Sequence, residues 1–148
     1  MKIVKVKNEN KRKYMNLLLL ADESEIMVNK YIENGSMYIL YDHGVKGEIL
    51  VLDVGNKVLE IKNLAVLPEY QKKGYGRMLI DFVCQKYKNS FKELQVGTGD
   101  SLLTIPFYEK CGFVRSHIIK NFFIDNYDHP IIENGTRLID MVYLKKQL

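Results

Sequence analysis

Apolar positions along the chain recur with two periods, and the change from one to the other marks out the elements. Ile3, Val4 and Val6 predict an opening strand. From Asn10 to Leu20, Tyr14, Leu17, Leu18 and Leu20 fall at helical spacing, with Lys11, Arg12 and Lys13 expected on the wet face of that helix. Asp22 or Ser24 caps a second helix carrying Ile26, Met27, Lys30 and Tyr31, and Asn34-Gly35 reads as its left-handed stop. Met37 to Tyr41, a turn at Asp42-His43-Gly44, and Val45 to Asp53 form a predicted hairpin. Gly55-Asn56 turns the chain into a third strand, Val58 to Val66, which stops before Pro68.

The period then lengthens. Tyr75, Met78, Leu79, Phe82, Val83 and Lys86 make an amphipathic stripe over a helix from about Gly74 to Tyr87, opposite Arg77, Asp81, Gln85 and Lys88. Leu94 to Val96 reads as a short strand, Gly97 to Asp100 as a loop, and Thr104 to Cys111 as a short helix ended by Gly112. Phe113 to Ile124 and Leu138 to Leu144 close the chain as paired strands around a loop from Asp125 to Gly135. The order predicts one α+β domain over residues 1–148, its sheet mostly antiparallel with one strand–helix–strand crossover from Val58 through Val96.

Composition narrows the class. A chain of 148 residues with 47% hydrophobic and 27% charged residues has enough apolar side chains for a core and can bury roughly 70% of its unfolded surface. The 22 Lys+Arg against 18 Asp+Glu are interspersed rather than gathered in a stripe, which argues against a nucleic-acid partner. No apolar run exceeds the five residues Leu17 to Ala21, and Met1 to Lys5 mixes charge with apolar residues. Neither a membrane segment nor a secretory leader is expected, and the predicted location is cytoplasmic. Cys84 and Cys111 lack metal or disulfide spacing, and His43, His117 and His129 are far apart, so no metal is assigned.

The candidate chemistry centres on Gln71-Lys72-Lys73-Gly74-Tyr75-Gly76, where a long strand runs through a loop into a helix. Glycines there let main-chain N–H groups approach a ligand, and the helix N-terminus adds partial positive charge that Lys72 and Lys73 extend. A phosphate or pyrophosphate is the natural guest; a plain loop with a capping glycine is the alternative. No Gly-Lys-Ser/Thr follows, and no third glycine sits at dinucleotide-fold spacing.

Gln-x-x-Gly-x-Gly after a long apolar strand resembles the acyl-CoA-binding signature of the GNAT superfamily of N-acetyltransferases. A second segment, Phe107-Tyr108-Glu109-Lys110-Cys111-Gly112-Phe113, resembles the superfamily's Phe/Leu-Tyr-x-x-x-Gly-Phe signature, with Tyr108 32 residues beyond Gly76. Val96 to Gly99, the Tyr-x-x-Cys-Gly-Phe run and Ile132 to Gly135 are similar to a small bacterial subgroup labelled indole-acetate-type acetyltransferases. The resemblance implies a mixed, mostly antiparallel sheet of about six to seven strands flanked by about four helices. It also implies acetyl-CoA as cosubstrate, a small-molecule or protein amine as acceptor, and a monomer or homodimer.

By that resemblance, the backbone of Leu64, Ala65 and Val66 bonds the pantetheine arm and polarises the acetyl carbonyl. Main-chain groups of Gln71, Lys72, Lys73, Gly74, Tyr75 and Gly76 wrap the pyrophosphate. Tyr108 protonates the leaving thiolate, a modest transfer between a phenol near ~10 and a thiol near ~8.5; its other reading is a packing aromatic. Glu60, eleven residues before Gln71, matches the general base of the histone-acetylating branch. An amine of pKa near ~10 is about 0.1% neutral at pH 7, so such a base is useful. Glu60, Lys62 and Leu64 are expected on one strand face, where Lys62 either stands beside Glu60 or pairs with it and makes it structural. Ser101 stands where the superfamily often has Asn and is the expected substitute for that contact to the cofactor. Phe122, Phe123, Tyr127 and His129 line the acceptor pocket, fill core or form a dimer contact. The alternative to an enzyme is a non-catalytic acyl-CoA sensor.

Overall fold

The computed structural model describes residues 1–148. Strand β1 (Lys2–Lys5) leads through a 3-10 segment, Asn8–Tyr14, into α1 (Met15–Ala21) and α2 (Glu25–Asn29). A meander of β2 (Ser36–Tyr41), β3 (Val45–Asp53) and β4 (Val58–Val66) follows, and α3 (Tyr75–Tyr87) crosses over to β5 (Glu93–Gly99). Then come α4 (Thr104–Lys110), β6 (Val114–Ile119), α5 (Phe122–Asn126), the short pair β7 (Ile132–Glu133) and β8 (Thr136–Arg137), and β9 (Met141–Gln147). Seven strands form the main sheet in the order β1-β2-β3-β4-β5-β9-β6, and only β4 and β5 run parallel. This is the α+β, mostly antiparallel architecture that the pattern predicts. No helix is long and apolar enough to cross a membrane.

Strand alternation divides the core into two layers. Tyr38, Leu40, Ile49, Val51, Leu59, Ile61, Leu94 and Val96 pack against Leu79, Ile80 and Val83 of α3 and Ile105 of α4. On the other face, Met37, Ile39, Leu50 and Ala65 receive Leu17 and Leu18 of α1 and Val28 of α2. Each large side chain fully buried in these layers contributes on the order of 1.5–3 kcal/mol of transfer free energy.

A bulge breaks the alternation in β4. Leu50 pairs with Asn63 but Val51 pairs with Ile61, so Lys62 is the extra residue. Glu60, Asn63 and Ala65 consequently stand on the α1/α2 face, whereas Leu64 returns to the α3 face. The expected shared face of Glu60, Lys62 and Leu64 is therefore corrected: Lys62 stays with Glu60 and Leu64 does not.

Other departures have long-range causes. The first predicted helix splits into a 3-10 segment and α1, and Lys11 is buried rather than wet. Its ammonium donates to the carbonyls of Ile32, at 2.9 Å, and Gly35, satisfying the chain end beyond α2. Ser24 is the cap of α2, its Oγ accepting from the Met27 N–H at 3.2 Å. Asn34 and Gly35 are not left-handed; a side chain at Gly35 would collide with Leu50. The predicted strand from Phe113 to Ile124 ends at Ile119, because Asn121 turns left-handed at φ 59 and gives its N–H to Asp140 Oδ1 at 2.9 Å. Gly97 to Gly99 belong to β5 rather than to a loop, since β9 continues beside them to Met141.

Candidate functional site

Strands β4 and β5 separate part-way along their length. Their parallel ladder runs from Val58↔Glu93 to Ile61↔Val96 and stops at the Lys62 bulge, while β5 continues to Gly99 against β9. The edge of β4 from Lys62 to Val66 therefore faces an open wedge. The Leu67 N–H donates to Lys46 O at 2.9 Å across the β3 side. Counting back by the antiparallel alternation, the N–H and C=O groups of Leu64 and Val66 point the other way, into the wedge. Ala65 directs its main-chain groups to β3 instead.

At the end of the wedge the chain builds an anion cradle. Lys72 at φ 63 and Gly74 at φ 91 both adopt the left-handed region before α3 begins. The main-chain N–H groups from Lys72 to Arg77 have no acceptor in the protein; the first helical bond is Met78 N–H to Gly74 O at 3.0 Å. This row of unclaimed donors lies at the positive end of a 13-residue helix, with Lys72 and Lys73 in no ion pair. Gln71 Nε2 donates to Val66 O at 3.1 Å and ties the loop to the strand end. Tyr75 contributes its N–H to the row, but its hydroxyl donates to Asp42 Oδ2 at 2.8 Å.

Tyr108 projects from α4 on the α3 face, buried edge-on between Phe107 and Phe113 at 5.1 and 5.5 Å between ring centroids. Burial holds its phenol protonated well above the usual tyrosine range. Cys111 is buried beside it, its thiol also pushed up by burial. Ser101 uses its hydroxyl locally. Its Oγ accepts from the Leu103 and Thr104 N–H groups at 3.1 and 3.4 Å and donates to Glu133 Oε1 at 3.4 Å. That commits it to starting α4.

On the opposite face Glu60 is buried with both oxygens engaged. Lys62 Nζ donates to Oε2 at 2.7 Å and Gln95 Nε2 donates to Oε1, so of the two arrangements expected for Lys62 the structure has the pairing with Glu60, the one that gives Glu60 a structural part. The Lys62 ammonium also lies 5.9 Å from the Tyr31 ring centroid. Around this group stand Tyr31, the Asp22 turn between α1 and α2, and the segment after α5. Tyr31 donates to Asp22 Oδ2 at 3.2 Å, and Tyr127 donates to Asp22 Oδ1 at 2.8 Å. His129 approaches Glu23 at 3.8 Å.

The chain that carries these elements is similar to known proteins over nearly its whole length. A family model described as Acetyltransferase (GNAT) domain matches residues 33–115. The chain belongs to the GNAT acetyltransferase family. It is 35% identical over 144 residues to an uncharacterized N-acetyltransferase, YvbK, of Bacillus subtilis (strain 168), covering 95% of this chain and 93% of the relative. Among solved structures, an IAA acetyltransferase from Bacillus cereus ATCC 14579 superposes with TM-score 0.92 at 35% identity, covering 99% of both chains. A GNAT family acetyltransferase from Elizabethkingia anophelis, solved with acetyl-CoA bound, superposes with TM-score 0.92 at 37% identity, over 99% of this chain and 97% of that one.

In this GNAT acetyltransferase the two sequence signatures lie side by side, a Cβ built on Gly76 standing 3.1 Å from Phe107 Cζ. Sequence reasoning missed Asp22 and Tyr143 as parts of the opposite face. Asp22 read only as a helix cap, and Tyr143 only as a strand residue. No sequence signal marked Tyr143: Gly97, over which it lies, reads as a loop residue until the structure places it inside β5.

Proposed function

We propose that residues 1–148 form one N-acetyltransferase domain that moves the acetyl group of acetyl-CoA to a primary amine by direct attack in a ternary complex. The observation that carries this reading is the wedge beyond Ile61 and Val96, which ends on the unclaimed N–H groups of Lys72 to Arg77. An extended acyl-pantetheine arm can add to the edge of β4 through the N–H and C=O of Leu64 and the N–H of Val66, whose carbonyl Gln71 takes, with its pyrophosphate in the cradle. Gln71, Lys73, Gly74 and Gly76 shape that cradle, and Lys72 and Lys73 attract the polyanion.

The amine approaches from the α1/α2 face, where Glu60 stands. Its nitrogen attacks the thioester carbon while a strand N–H near Val66 stabilises the oxyanion. As the carbon–sulfur bond breaks, Tyr108 gives its proton to the thiolate, and the amine's proton leaves through water toward Glu60, whose two oxygens already accept from Lys62 and Gln95. Holding both partners in one wedge supplies the larger share of the rate, and each proton-transfer group on the order of 10²-fold. Ser101 acts by starting α4 and so placing Tyr108.

The test is thiol release from acetyl-CoA across a panel of small primary amines and amine-terminated peptides. Acetyl-dependent release with at least one amine supports the reading. Tight acetyl-CoA binding with no release on any of them would make the protein a sensor instead.

A further inference from the structure

Tyr143 on β9 pairs with Gly97 of β5 on one side and His117 of β6 on the other. By alternation it stands on the face that carries Glu60 and Gln95. A Cβ built on Gly97 would lie 3.0 Å from Tyr143 Cζ, the ring carbon that bears the hydroxyl. The phenol therefore lies directly over the β5 backbone, and its hydroxyl reaches from β9 across β5 toward β4. It does so at the level just past Ile61↔Val96, where the two strands part. From the outer side the His117 ring stacks on Tyr143 at 4.6 Å between centroids and 4° between planes. Ser116 Oγ and His117 Nδ1, 3.0 Å apart, hold that imidazole in turn. The ring is thus fixed on both flanks.

Its hydroxyl is the part left over. Tyr31, Tyr38, Tyr75 and Tyr127 all spend theirs on another side chain, but Tyr143 does not. Burial and then the nearby Glu60 charge push its phenol up to about 12, so it stays neutral at physiological pH and can both accept and donate a hydrogen bond. A phenol oxygen fixed in place and without a protein partner suits an amine, whose N–H can donate to it.

We propose that Tyr143 orients the acceptor: its hydroxyl oxygen accepts a hydrogen bond from the incoming amine and, with Glu60, aims the nitrogen at the thioester carbon. This rests on the acetyltransfer reading above and narrows the acceptor to one whose amine can reach the Tyr143 hydroxyl beside Glu60, where β4 and β5 part. Gly97 then serves specificity, since a side chain there would press on both Met141 Sδ, at 2.9 Å, and the phenol.

The wild-type protein is first assayed for thiol release with acetyl-CoA and ethanolamine, tryptamine, spermidine and an alanine-terminated peptide. The best of these is then used with the variants. Tyr143→Phe keeps the ring, its stacking and the Gly97 contact and removes only the oxygen. Loss of one hydrogen bond to a charged group predicts an amine KM raised about tenfold, with kcat and acetyl-CoA affinity within about threefold of wild type. Gly97→Ala, which leaves Tyr143 intact but displaces it, is expected to raise the amine KM in the same way. An unchanged amine KM in Tyr143→Phe overturns the assignment, as does a loss confined to kcat. Absence of wild-type turnover with all four amines overturns the acetyltransfer reading, and this assignment with it.

Discussion

Tyr127 donates its hydroxyl to Asp22 at 2.8 Å, joining residues 105 positions apart. Because Asp22 also accepts from Tyr31, and Tyr31 from Asn63 Nδ2 at 3.0 Å, the segment after α5 is tied through the α1–α2 turn to β4 itself. The segment after α5 is thereby held against the face of the sheet on which Glu60 stands.

Tyr127→Phe removes that tie and leaves the ring stacked on Phe123 at 5.7 Å. A net loss of about 1 kcal/mol is expected. Trypsin should then cut at Lys120 or Arg137 sooner than in the wild type. Equal cleavage rates would mean that apolar packing alone holds the segment.

Tyr108→Phe should lower kcat on the order of 10²-fold while acetyl-CoA affinity stays within about twofold. The ring keeps its contacts with Phe107 and Phe113, so the thermal midpoint should hardly move. An unchanged kcat would remove Tyr108 from the proton transfer.

For Glu60→Gln the expected loss in kcat/KM is about tenfold or more at low pH and shrinks as pH rises, because more of the amine is then already neutral. Stability should fall as well, since Lys62 loses the carboxylate it bonds at 2.7 Å. A pH–rate profile parallel to that of the wild type would assign deprotonation to a water chain.

Gly74→Ala forces a side chain onto a backbone at φ 91, at about 1 kcal/mol or more. It also turns the N–H row of the cradle, so acetyl-CoA should bind about tenfold more weakly. Gly44→Ala, at φ 112 in the β2–β3 turn with open space around it, carries similar strain without touching the cradle. Equal loss of acetyl-CoA affinity in both variants would reduce the Gly74 effect to stability.

Glu48 on β3 is fully buried beside Ile39 and Ala65, and neither carboxylate oxygen has a hydrogen-bond partner. Burial raises its carboxyl well above the usual range. The folded group thus keeps its proton where the unfolded one, near ~4.3, has ionised. Folding takes up a proton in that window, so this residue makes stability fall as pH rises above the ordinary carboxylate range. Glu48→Gln has nothing to titrate. Its thermal midpoint should match the wild type at about pH 4 and exceed it by several degrees at about pH 8. A gap independent of pH would show that Glu48 ionises within the fold.

Much of this could be read along the chain. The crossover from Val58 to Val96 and the helix from Gly74 to Tyr87 follow from periodicity, which is local and survives without any partner. The two signatures at Gln71–Gly76 and Phe107–Phe113 were legible for the same reason, since each acts through its own backbone and spacing. Three features were not. Lys11 sits in a basic run yet caps carbonyls at Ile32 and Gly35, a pairing no nearby residue announces. The bulge at Lys62 appears only when β3 is laid beside β4, and it alone decides that Glu60 and Leu64 face opposite sides. Gly97 looks like a turn residue until Tyr143 lies across it.

By itself, then, the sequence determined the β2–β3–β4 meander, the crossover to β5 and the left-handed turn at Gly74 before α3, because hydrophobic period and glycine conformation are properties of short segments. Only the tertiary structure decided which side chains look at one another across the wedge. Register, bulges and close approach arise between strands far apart in the chain, and a slip of one residue in any of them turns a site residue to the wrong face.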